Sequence, residues 1–285
     1  MKVCSACIKL DINNSYTKKM KFRLFIIVAI IQTIVSACGP SQPQLAVQKI
    51  AVAEELLAKG DTTNSLLHLD SISTLYPKAL SEARTATQIS NRINVSRLML
   101  QRDNLSKANL VVDSLIKEFT PEKGEFEKFT NYIHNRQGIE KTWSRSFVQV
   151  YLNEKGDLSL VSNYYGGQWL NHTSLSIEGE GLSAKTDSVP IDNLNNHHSE
   201  FSGSKWERVT YRGEQADKLI ALISANTDKK LKSIFRGKSS YIIWLEESDK
   251  KAIKIAYNLA KALKVKDASV NTIKVLEKKI KSEEE

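Results

Sequence analysis

The sequence has little cysteine and none of the common catalytic signatures. Its 285 residues include three cysteines, at positions 4, 7 and 38. Beyond Cys38 there is therefore no disulfide, no cysteine metal site and no thiol nucleophile. The glycine-rich phosphate loops, the G-x-S-x-G turn and the H-E-x-x-H helix are also missing, and with them the enzyme classes that they define. We therefore expect a non-catalytic protein without a cofactor or a bound metal.

Long hydrophobic runs are equally scarce, and the one present lies near the beginning of the chain. Residues 24–31 read LFIIVAII, and four Lys or Arg residues precede them between positions 18 and 23. The apolar stretch ends by Ala37 after about 14 residues, whereas about 20 are needed to cross the hydrocarbon core of a bilayer. A basic flank, a short apolar core and small residues at its end are typical of a secretory signal.

The four residues VSAC, positions 35–38, follow this stretch. They resemble the lipobox of bacterial lipoproteins, which is an aliphatic residue, two small residues and a cysteine. The resemblance implies that residues 1–37 are a signal peptide, that it is cut between Ala37 and Cys38, and that Cys38 carries the lipid. Several acyl chains at about 0.8 kcal/mol per buried methylene would anchor the protein lastingly. A complete signal already begins at Met20, which is therefore an alternative start.

Cleavage of the signal would change the charge of the protein. Residues 1–37 hold six Lys or Arg and one Asp, so 35 basic and 31 acidic residues remain and the net charge falls from +9 to about +4. A strongly basic surface is the usual footprint of a nucleic-acid-binding protein. The smaller charge removes most of the support for such a partner, and we expect none.

Residues 38–44, CGPSQPQ, are expected to be the lipidated cysteine and a short tether. Gly39 follows the cysteine where an Asp would retain a lipoprotein in the inner membrane, and no acidic cluster comes after it. This pattern resembles that of Bacteroidota-type lipoproteins sent to the outer membrane. The resemblance implies a protein that is held in a lipid bilayer through Cys38 and faces the periplasm.

Residues 45–141 are predicted to form a domain of α-helical hairpins. Apolar residues recur at helical spacing, with a third helix ending near Gln101, a fourth beginning near Ser106, and a connecting helix over 122–141. Residues 56–77, LLAKGDTTNSLLHLDSISTLYP, resemble a tetratricopeptide unit with Gly-Asp at its turn. A second unit is offset by 43 residues, which is longer than the usual 34. The resemblance implies a surface for protein contacts, and so an envelope protein partner.

In residues 142–285 the apolar residues alternate instead of recurring at helical spacing. This half is predicted to be α+β, with an antiparallel sheet of six or seven strands packed against two or three helices. A polar loop is expected over 187–203, a short helix over 215–226, and two C-terminal helices that meet at Asp267. This half resembles uncharacterised lipoproteins of Bacteroidota, which implies no activity. Alternating apolar residues predict strands at 147–152, 157–162, 172–179, 181–186, 205–211, 230–237 and 239–246.

The stretch NYYGGQW, residues 163–169, is the strongest candidate ligand site in this half. Tyr164, Tyr165 and Trp169, with His172 just beyond, would form an aromatic platform that stacks a sugar or a peptide. The alternative is a loop whose glycines adopt positive φ while the aromatic rings pack on the sheet. His172 itself is expected to be a hydrogen-bonded residue at a strand edge.

Three further groups of residues have weaker interpretations. The stretch HHSE, residues 197–200, is interpreted as a solvated loop because no third strong ligand lies at a fixed spacing from the two histidines. Trp143, Trp206 and Trp244 are expected in the core. Three Asp-Ser-aliphatic tripeptides resemble the O-glycosylation signal of Bacteroidota periplasmic proteins, and the candidate acceptors are Ser71, Ser114 and Ser188, of which the last is in a predicted loop.

Two functions fit these patterns. The first is a membrane-anchored, periplasm-facing lipoprotein that acts as a non-catalytic adaptor or protein-binding module of the cell envelope. The alternative is a carbohydrate- or peptidoglycan-binding lipoprotein that uses the aromatic loop.

Overall fold

The structure is a computed structural model that describes residues 40–125, 127–138 and 143–284. The predicted signal peptide, Ala37 and Cys38 lie outside the described residues. The α+β class is confirmed, because helices come first and antiparallel sheets with further helices follow. Contacts divide the chain after Ile93 into a helical unit and a larger unit. Among the described helices, none has both the length and the hydropathy required to span a bilayer.

The first unit is built on a helical hairpin. Gly60, with a φ of +82°, reverses the chain after the first helix, and Asp61 caps the second by accepting a hydrogen bond from the Asn64 N–H at 3.1 Å. Ser65 Oγ donates to the Ala53 carbonyl at 2.7 Å, so small side chains bring the two helices close together. The helices that begin in this unit are α1 (Gln42–Ala58), α2 (Thr62–Asp70), α3 (Ile72–Leu75) and α4 (Leu80–Leu115).

Helix α4 is continuous, so the break predicted between Gln101 and Ser106 is wrong. Residues 102–107, RDNLSK, contain neither Pro nor Gly to interrupt it. Asp103 and Lys107 lie one turn apart and form an ion pair at 2.6 Å, which favours the helix. The second predicted hairpin therefore does not form, and the 43-residue sequence echo does not correspond to two structural repeats.

The larger unit contains two antiparallel sheets rather than the single sheet predicted. Alternation along one strand identifies the strand but not its neighbours, which is why the sequence did not separate the sheets. One sheet has the order β1-β2-β3-β4-β8-β7 and the other β10-β9-β5-β6. The strands are β1 (Phe119–Glu122), β2 (Asn131–His134), β3 (Phe147–Asn153), β4 (Leu158–Gly166), β5 (Ser174–Gly179), β6 (Leu182–Lys185), β7 (Asn196–Phe201), β8 (Ser204–Tyr211), β9 (Lys232–Arg236) and β10 (Ser240–Trp244).

Three of these strands fall where none was predicted, and the first is β1, in a segment that was expected to be helical. The segment 122–141, predicted as a helix, contains β2, which buries Ile133 and pairs with β3. The helical domain predicted over 45–141 is therefore wrong beyond Leu115. The loop predicted over 187–203 contains β7, which pairs with β8 along its whole length. Strands β2 and β7 carry mainly polar side chains, so neither shows the apolar alternation by which a strand is recognised.

Among its described residues, the larger unit also contains the helices α5 (Glu214–Ala225) and α6 (Glu247–Glu284). Helix α5 confirms the helix predicted over 215–226. Helix α6 is continuous where two helices were predicted, because Asp267 lies within a segment that has no Pro or Gly. The core of the unit combines inner faces of both sheets with these helices, and its fully buried side chains include Leu152, Leu160, Leu175, Ile177, Leu219, Ile220, Ile223, Phe235, Ile253 and Leu259.

The tryptophans are not core residues, contrary to the prediction. Trp143 and Trp244 are 66% and 65% exposed, and Trp206 is half-buried. Trp206 and Trp244 do lie on strands, as expected, but their side chains occupy the faces that point away from the core. Exposed aromatic side chains of this size are informative, because a protein gains nothing for its own stability by leaving them in water.

Candidate functional site

The six-stranded sheet has a solvent-facing side that is rich in aromatic and polar side chains. Register places Asn163 of β4 opposite Arg208 of β8, and Tyr165 opposite Trp206. Because side chains alternate across a strand, these four residues share one face. The intervening residues of both strands point into the core. Gln149 of β3 lies on the same outer face, because it pairs with Val161, which is two residues before Asn163 on β4.

Two adjoining cavities lie on this outer face, with volumes of about 560 and 300 Å³. They share Trp143, Asn163, Trp206 and Arg208, so they form one groove, which we call the outer-face groove. Sites for small ligands usually measure about 300–1,000 Å³ and are lined by apolar and aromatic side chains with a few polar groups. The outer-face groove has this size and this lining.

Aromatic rings form one wall of the groove. The rings of Trp206 and Trp143, which both line the groove, lie 6.1 Å apart with a tilt of 45°. The Tyr165 ring packs against Trp206 at 5.1 Å without lining the groove itself. Phe201, at the end of β7, is 74% exposed and lines the same cavity. These rings support one another in fixed orientations while keeping faces open to solvent, as a stacking surface requires.

The groove contains an arginine without an ion pair and a buried donor without a partner in the described residues. The Arg208 guanidinium lies 5.0 Å from the centre of the Tyr151 ring and hydrogen-bonds that residue's side chain, but no described acidic residue forms an ion pair with it. Asn163 Nδ2 is buried without a hydrogen-bond partner in the described part of the chain. A buried amide donor without a partner and a guanidinium without an ion pair, in one groove, are both suited to an oxygen-rich or anionic ligand.

The neighbouring arginines behave differently from Arg208. Arg136 and Arg145 both contact Glu246, at 2.5 and 3.0 Å. Arg145 also reaches Asp249 at 3.2 Å. Their charges are therefore committed to holding the start of α6, and Arg208 is the arginine of the groove that remains available.

The aromatic-loop residues predicted from the sequence do not form one platform. Tyr165 lies on the outer face beside Trp206 but lines neither cavity of the groove. Tyr164 points into the core, where its hydroxyl donates to the Gln168 carbonyl at 3.0 Å and burial raises its pKa. Trp169 stacks on the ring of His198 at 5.1 Å on the other side of the sheet. His172 is completely buried.

The glycines of this stretch also act differently from the prediction. Neither Gly166 nor Gly167 has a positive φ. A Cβ on Gly166 would lie 2.2 Å from the hydroxyl oxygen of Tyr164, so glycine is needed here for space rather than for backbone conformation.

The inner face of the same two strands carries a chain of buried hydrogen bonds. The Ser162 hydroxyl lies 2.7 Å from His172 Nε2, and His172 Nδ1 lies 2.7 Å from a Glu207 carboxylate oxygen. Tyr211 extends the chain, with its hydroxyl 3.1 Å from that of Ser162. The order serine, histidine, acid resembles a catalytic triad, but Ser162 and His172 are wholly buried, so no substrate reaches the hydroxyl.

Hydrogen bonds determine the charge state of Glu207. Burial disfavours its ionised form, but the His172 side chain and the backbone N–H groups of His172 and Asn171 all donate to the carboxylate and outweigh burial. The pKa of Glu207 is therefore lower than its ordinary value. His172 is hydrogen-bonded, as predicted, but it lies in the core rather than at an edge. Its bonds to Ser162 and Glu207 connect the segment before β5 to strands β4 and β8.

The remaining candidate residues are scattered. His197 and His198 alternate across β7 rather than lying in a loop, and no metal-binding cluster occurs in the described residues. Ser114 and Ser188 are exposed, and Ser188 lies between β6 and β7, outside any helix or strand. Ser71 lies between α2 and α3 and its hydroxyl donates to the His68 carbonyl at 2.8 Å.

Sequence reasoning missed the outer-face groove because its residues come from separate strands. Asn163 and Arg208 are 45 positions apart and meet only through strand register. One signal was available in the predicted strand KWERVTY. Glu207 and Arg208 are consecutive charged residues, and consecutive side chains of a strand point to opposite faces of the sheet, so each face had to receive one of the two charges. Comparison of the chain with protein-family models, with curated proteins and with solved structures finds no match.

Proposed function

We propose that the protein is a lipid-anchored, periplasm-facing binding protein of the bacterial envelope that holds a carboxylate-bearing glycan in its outer-face groove. The anchor rests on the lipobox resemblance at Cys38, and the outer-membrane location on the residue that follows it. No cofactor and no nucleic acid enter the proposal. The observation that carries it is the aromatic wall of Trp143, Phe201 and Trp206 beside Arg208, which is exposed and forms no ion pair in the described residues.

The chemistry of the groove supports a sugar ligand. A pyranose ring presents C–H groups on its faces, which stack on aromatic rings, and hydroxyls at its rim, which accept and donate hydrogen bonds. The tilted Trp206 and Trp143 rings offer the first kind of contact. Asn163 Nδ2, a donor that lacks a partner in the described residues, offers the second.

The charge of the groove supports an acidic sugar rather than a neutral one. A guanidinium binds a carboxylate through two parallel hydrogen bonds, which give orientation as well as energy. Arg208 is exposed and has no ion pair among the described residues. Peptidoglycan carries carboxylates on its stem peptides and on those muramic acid units that bear no peptide, so it is the envelope glycan that matches this site.

Soluble peptidoglycan fragments test the proposal by isothermal titration calorimetry. Trp143→Ala should abolish most of the binding seen with the unaltered protein, since it removes half of the stacking surface. Trp244→Ala is the matched control, because Trp244 is equally exposed but lies on β10, outside the groove. Absence of binding by the unaltered protein, or equal loss in the two variants, would contradict the proposal.

An adaptor role for the helical unit is the second candidate. Five large apolar side chains of this unit are exposed, and they are Val47, Val52, Leu67, Leu75 and Leu80. Exposed apolar side chains at this density fit a surface for another protein. A photo-crosslinking residue at position 67 should give one discrete adduct in envelope preparations, and the same residue at position 54, also exposed, should not. No adduct at position 67 would remove this candidate.

A further inference from the structure

A further cavity continues the outer-face groove along the same side of the six-stranded sheet. It measures about 530 Å³, and we call it the polar cavity. Tyr151 of β3 lines both the polar cavity and the smaller cavity of the groove. Tyr151 is two residues from Gln149 on β3, and it pairs with Ser159 of β4, which also lines the polar cavity. The two sites therefore adjoin on one face, with the Tyr151 side chain between them.

The polar cavity differs from the groove in its lining. Aromatic rings form a wall of the groove, whereas the polar cavity is lined mainly by polar side chains and carries both signs of charge in equal number. Its acidic residues are Glu127, Asp157 and Asp217, and its basic residues are Lys128, Arg212 and Lys264. Such a cavity favours a ligand that itself carries both charges, because a simple anion or cation would meet a repulsive group as well as an attractive one.

Two of the acidic side chains already have partners. Asp157 accepts a hydrogen bond from the Asn153 side chain at 3.1 Å and lies 3.9 Å from Lys264 Nζ. Glu127 accepts a hydrogen bond from the Asn131 side chain at 2.9 Å. These contacts hold the turn between β3 and β4 and the segment before β2, so both carboxylates have a role within the fold.

Asp217 and Arg212 are opposite charges that are not paired. Asp217 lies in the first turn of α5, Arg212 precedes the glycine that comes directly before this helix, and both side chains are exposed. Arg212 donates a hydrogen bond to the Asn195 side chain, but in the described part of the chain neither residue forms an ion pair. A ligand with an ammonium and a carboxylate complements both.

We propose that the polar cavity holds the zwitterionic end of a peptide whose glycan occupies the outer-face groove. The proposal rests on the glycan-binding function proposed above and assigns a site to the peptide part of the ligand. Asp217 accepts hydrogen bonds from the ligand ammonium, and Arg212 donates two to the ligand carboxylate. The ligand class is a peptide-bearing glycan that ends in an amino acid with a free ammonium and a free carboxylate on one carbon, such as the diamino acid of a peptidoglycan stem.

The separation of the two sites suits such a ligand. Only the Tyr151 side chain stands between the cavities, and three extended residues span about 10 Å. Tyr151 is held in place, because the Arg208 guanidinium lies 5.0 Å from the centre of its ring and hydrogen-bonds its side chain. One ligand can therefore place its sugar beside Trp206 and pass its peptide over Tyr151 into the polar cavity.

Isothermal titration calorimetry with two forms of one muropeptide tests the ammonium contact in the full chain. The first form is a disaccharide with a three-residue stem that ends in a diamino acid, and in the second form the free ammonium is acetylated. Acetylation should weaken binding to the unaltered protein about tenfold and should leave binding to Asp217→Asn unchanged. Asp228→Asn is the matched control and should respond to acetylation as the unaltered protein does, because Asp228 is also exposed but lies outside the polar cavity.

The carboxylate contact is tested in the same way. Replacement of the carboxylate beside the ammonium by a carboxamide should weaken binding to the unaltered protein about tenfold and should leave binding to Arg212→Gln unchanged. Circular dichroism checks that the variants fold.

The outcomes separate this proposal from the one on which it rests. Equal affinity of the unaltered protein for the free and acetylated forms, while Trp143→Ala still loses binding, would overturn the peptide site and leave the glycan site standing. Equal discrimination by Asp217→Asn and the unaltered protein would also overturn the peptide site. No binding of either form to the unaltered protein would refute both proposals.

Discussion

The two faces of strands β4 and β8 are made from neighbouring residues that have opposite relations to their surroundings. On the inner face Ser162 and Glu207 are fully hydrogen-bonded and buried. On the outer face Asn163 and Arg208, the next residue of each strand, lie in an open groove with donors to spare. A polar group that is satisfied inside the protein stabilises the fold, whereas one left unsatisfied at a cavity is available to a ligand. The inner face therefore stabilises the fold, and the outer face is the one that we propose for binding.

The largest expected effect is on the inner face. Glu207→Ala leaves the His172 side chain and two backbone N–H groups without their acceptor in the core. Each buried donor left without its acceptor typically costs about 1–3 kcal/mol, so the free energy of unfolding should fall by several kcal/mol. Urea unfolding at neutral pH measures this change.

Two further variants keep this prediction testable if Glu207→Ala fails to fold. Glu207→Gln retains an acceptor oxygen and should lose less stability. Glu247→Ala removes an exposed carboxylate whose partner is Lys251, and it should change the free energy by no more than about 0.5 kcal/mol. A loss at position 207 as small as that at position 247 would contradict the role of the buried chain.

Acid should weaken the fold through the same carboxylate. The pKa of Glu207 is lower in the folded protein than its ordinary value of 4.5, so its contribution is complete above that pH and is lost as the pH falls through the folded pKa. The free energy of unfolding should therefore decline below about pH 4.5, at up to about 1.4 kcal/mol per pH unit for this group. Glu207→Gln should flatten the decline, and an unchanged slope in that variant would count against the assignment.

Ser162→Ala should have an intermediate effect. It removes the hydroxyl that joins His172 to Tyr211, and such a loss costs about 1–3 kcal/mol in a buried site. Ser199→Ala, at an exposed position on the outer side, is the matched control and should change stability by less than about 0.5 kcal/mol. Equal thermal midpoints for the two variants would show that the buried chain contributes little.

The smallest effect on stability is expected on the outer face. Arg208→Gln removes an exposed guanidinium that forms no ion pair in the described residues, so the free energy of unfolding should change by less than about 0.5 kcal/mol. The same variant should lose most of its glycan affinity. Stability lost in proportion to binding would show that Arg208 supports the fold instead.

The sequence predicted what depends on neighbouring residues and missed what depends on distant ones. Helix α5 and strands such as β3 and β8 followed from local periodicity. The lengths of α4 and α6 did not follow from it. Polar stretches such as that around Asp103 resemble helix termini in the sequence, and the helix continues through them because of tertiary packing.

The candidate site shows the same limit. Tyr164 and Tyr165 are adjacent and equally aromatic, and only strand pairing decides that one enters the core and the other lies on the outer face. His172 was a candidate because it follows the aromatic stretch 163–169. Its bonds to Ser162 and Glu207 depend on how the chain passes from one sheet to the other, and no local sequence pattern predicts that.

The central claim, that Arg208 binds a ligand carboxylate in the outer-face groove, is tested most directly by changing both partners. Affinities of the unaltered protein and of Arg208→Gln would be measured for a muramic-acid-containing disaccharide and for its carboxamide. Loss of the ligand charge should weaken binding to the unaltered protein about ten- to a hundredfold, and should leave binding to Arg208→Gln unchanged. Equal discrimination between the two ligands by both proteins would contradict the claim.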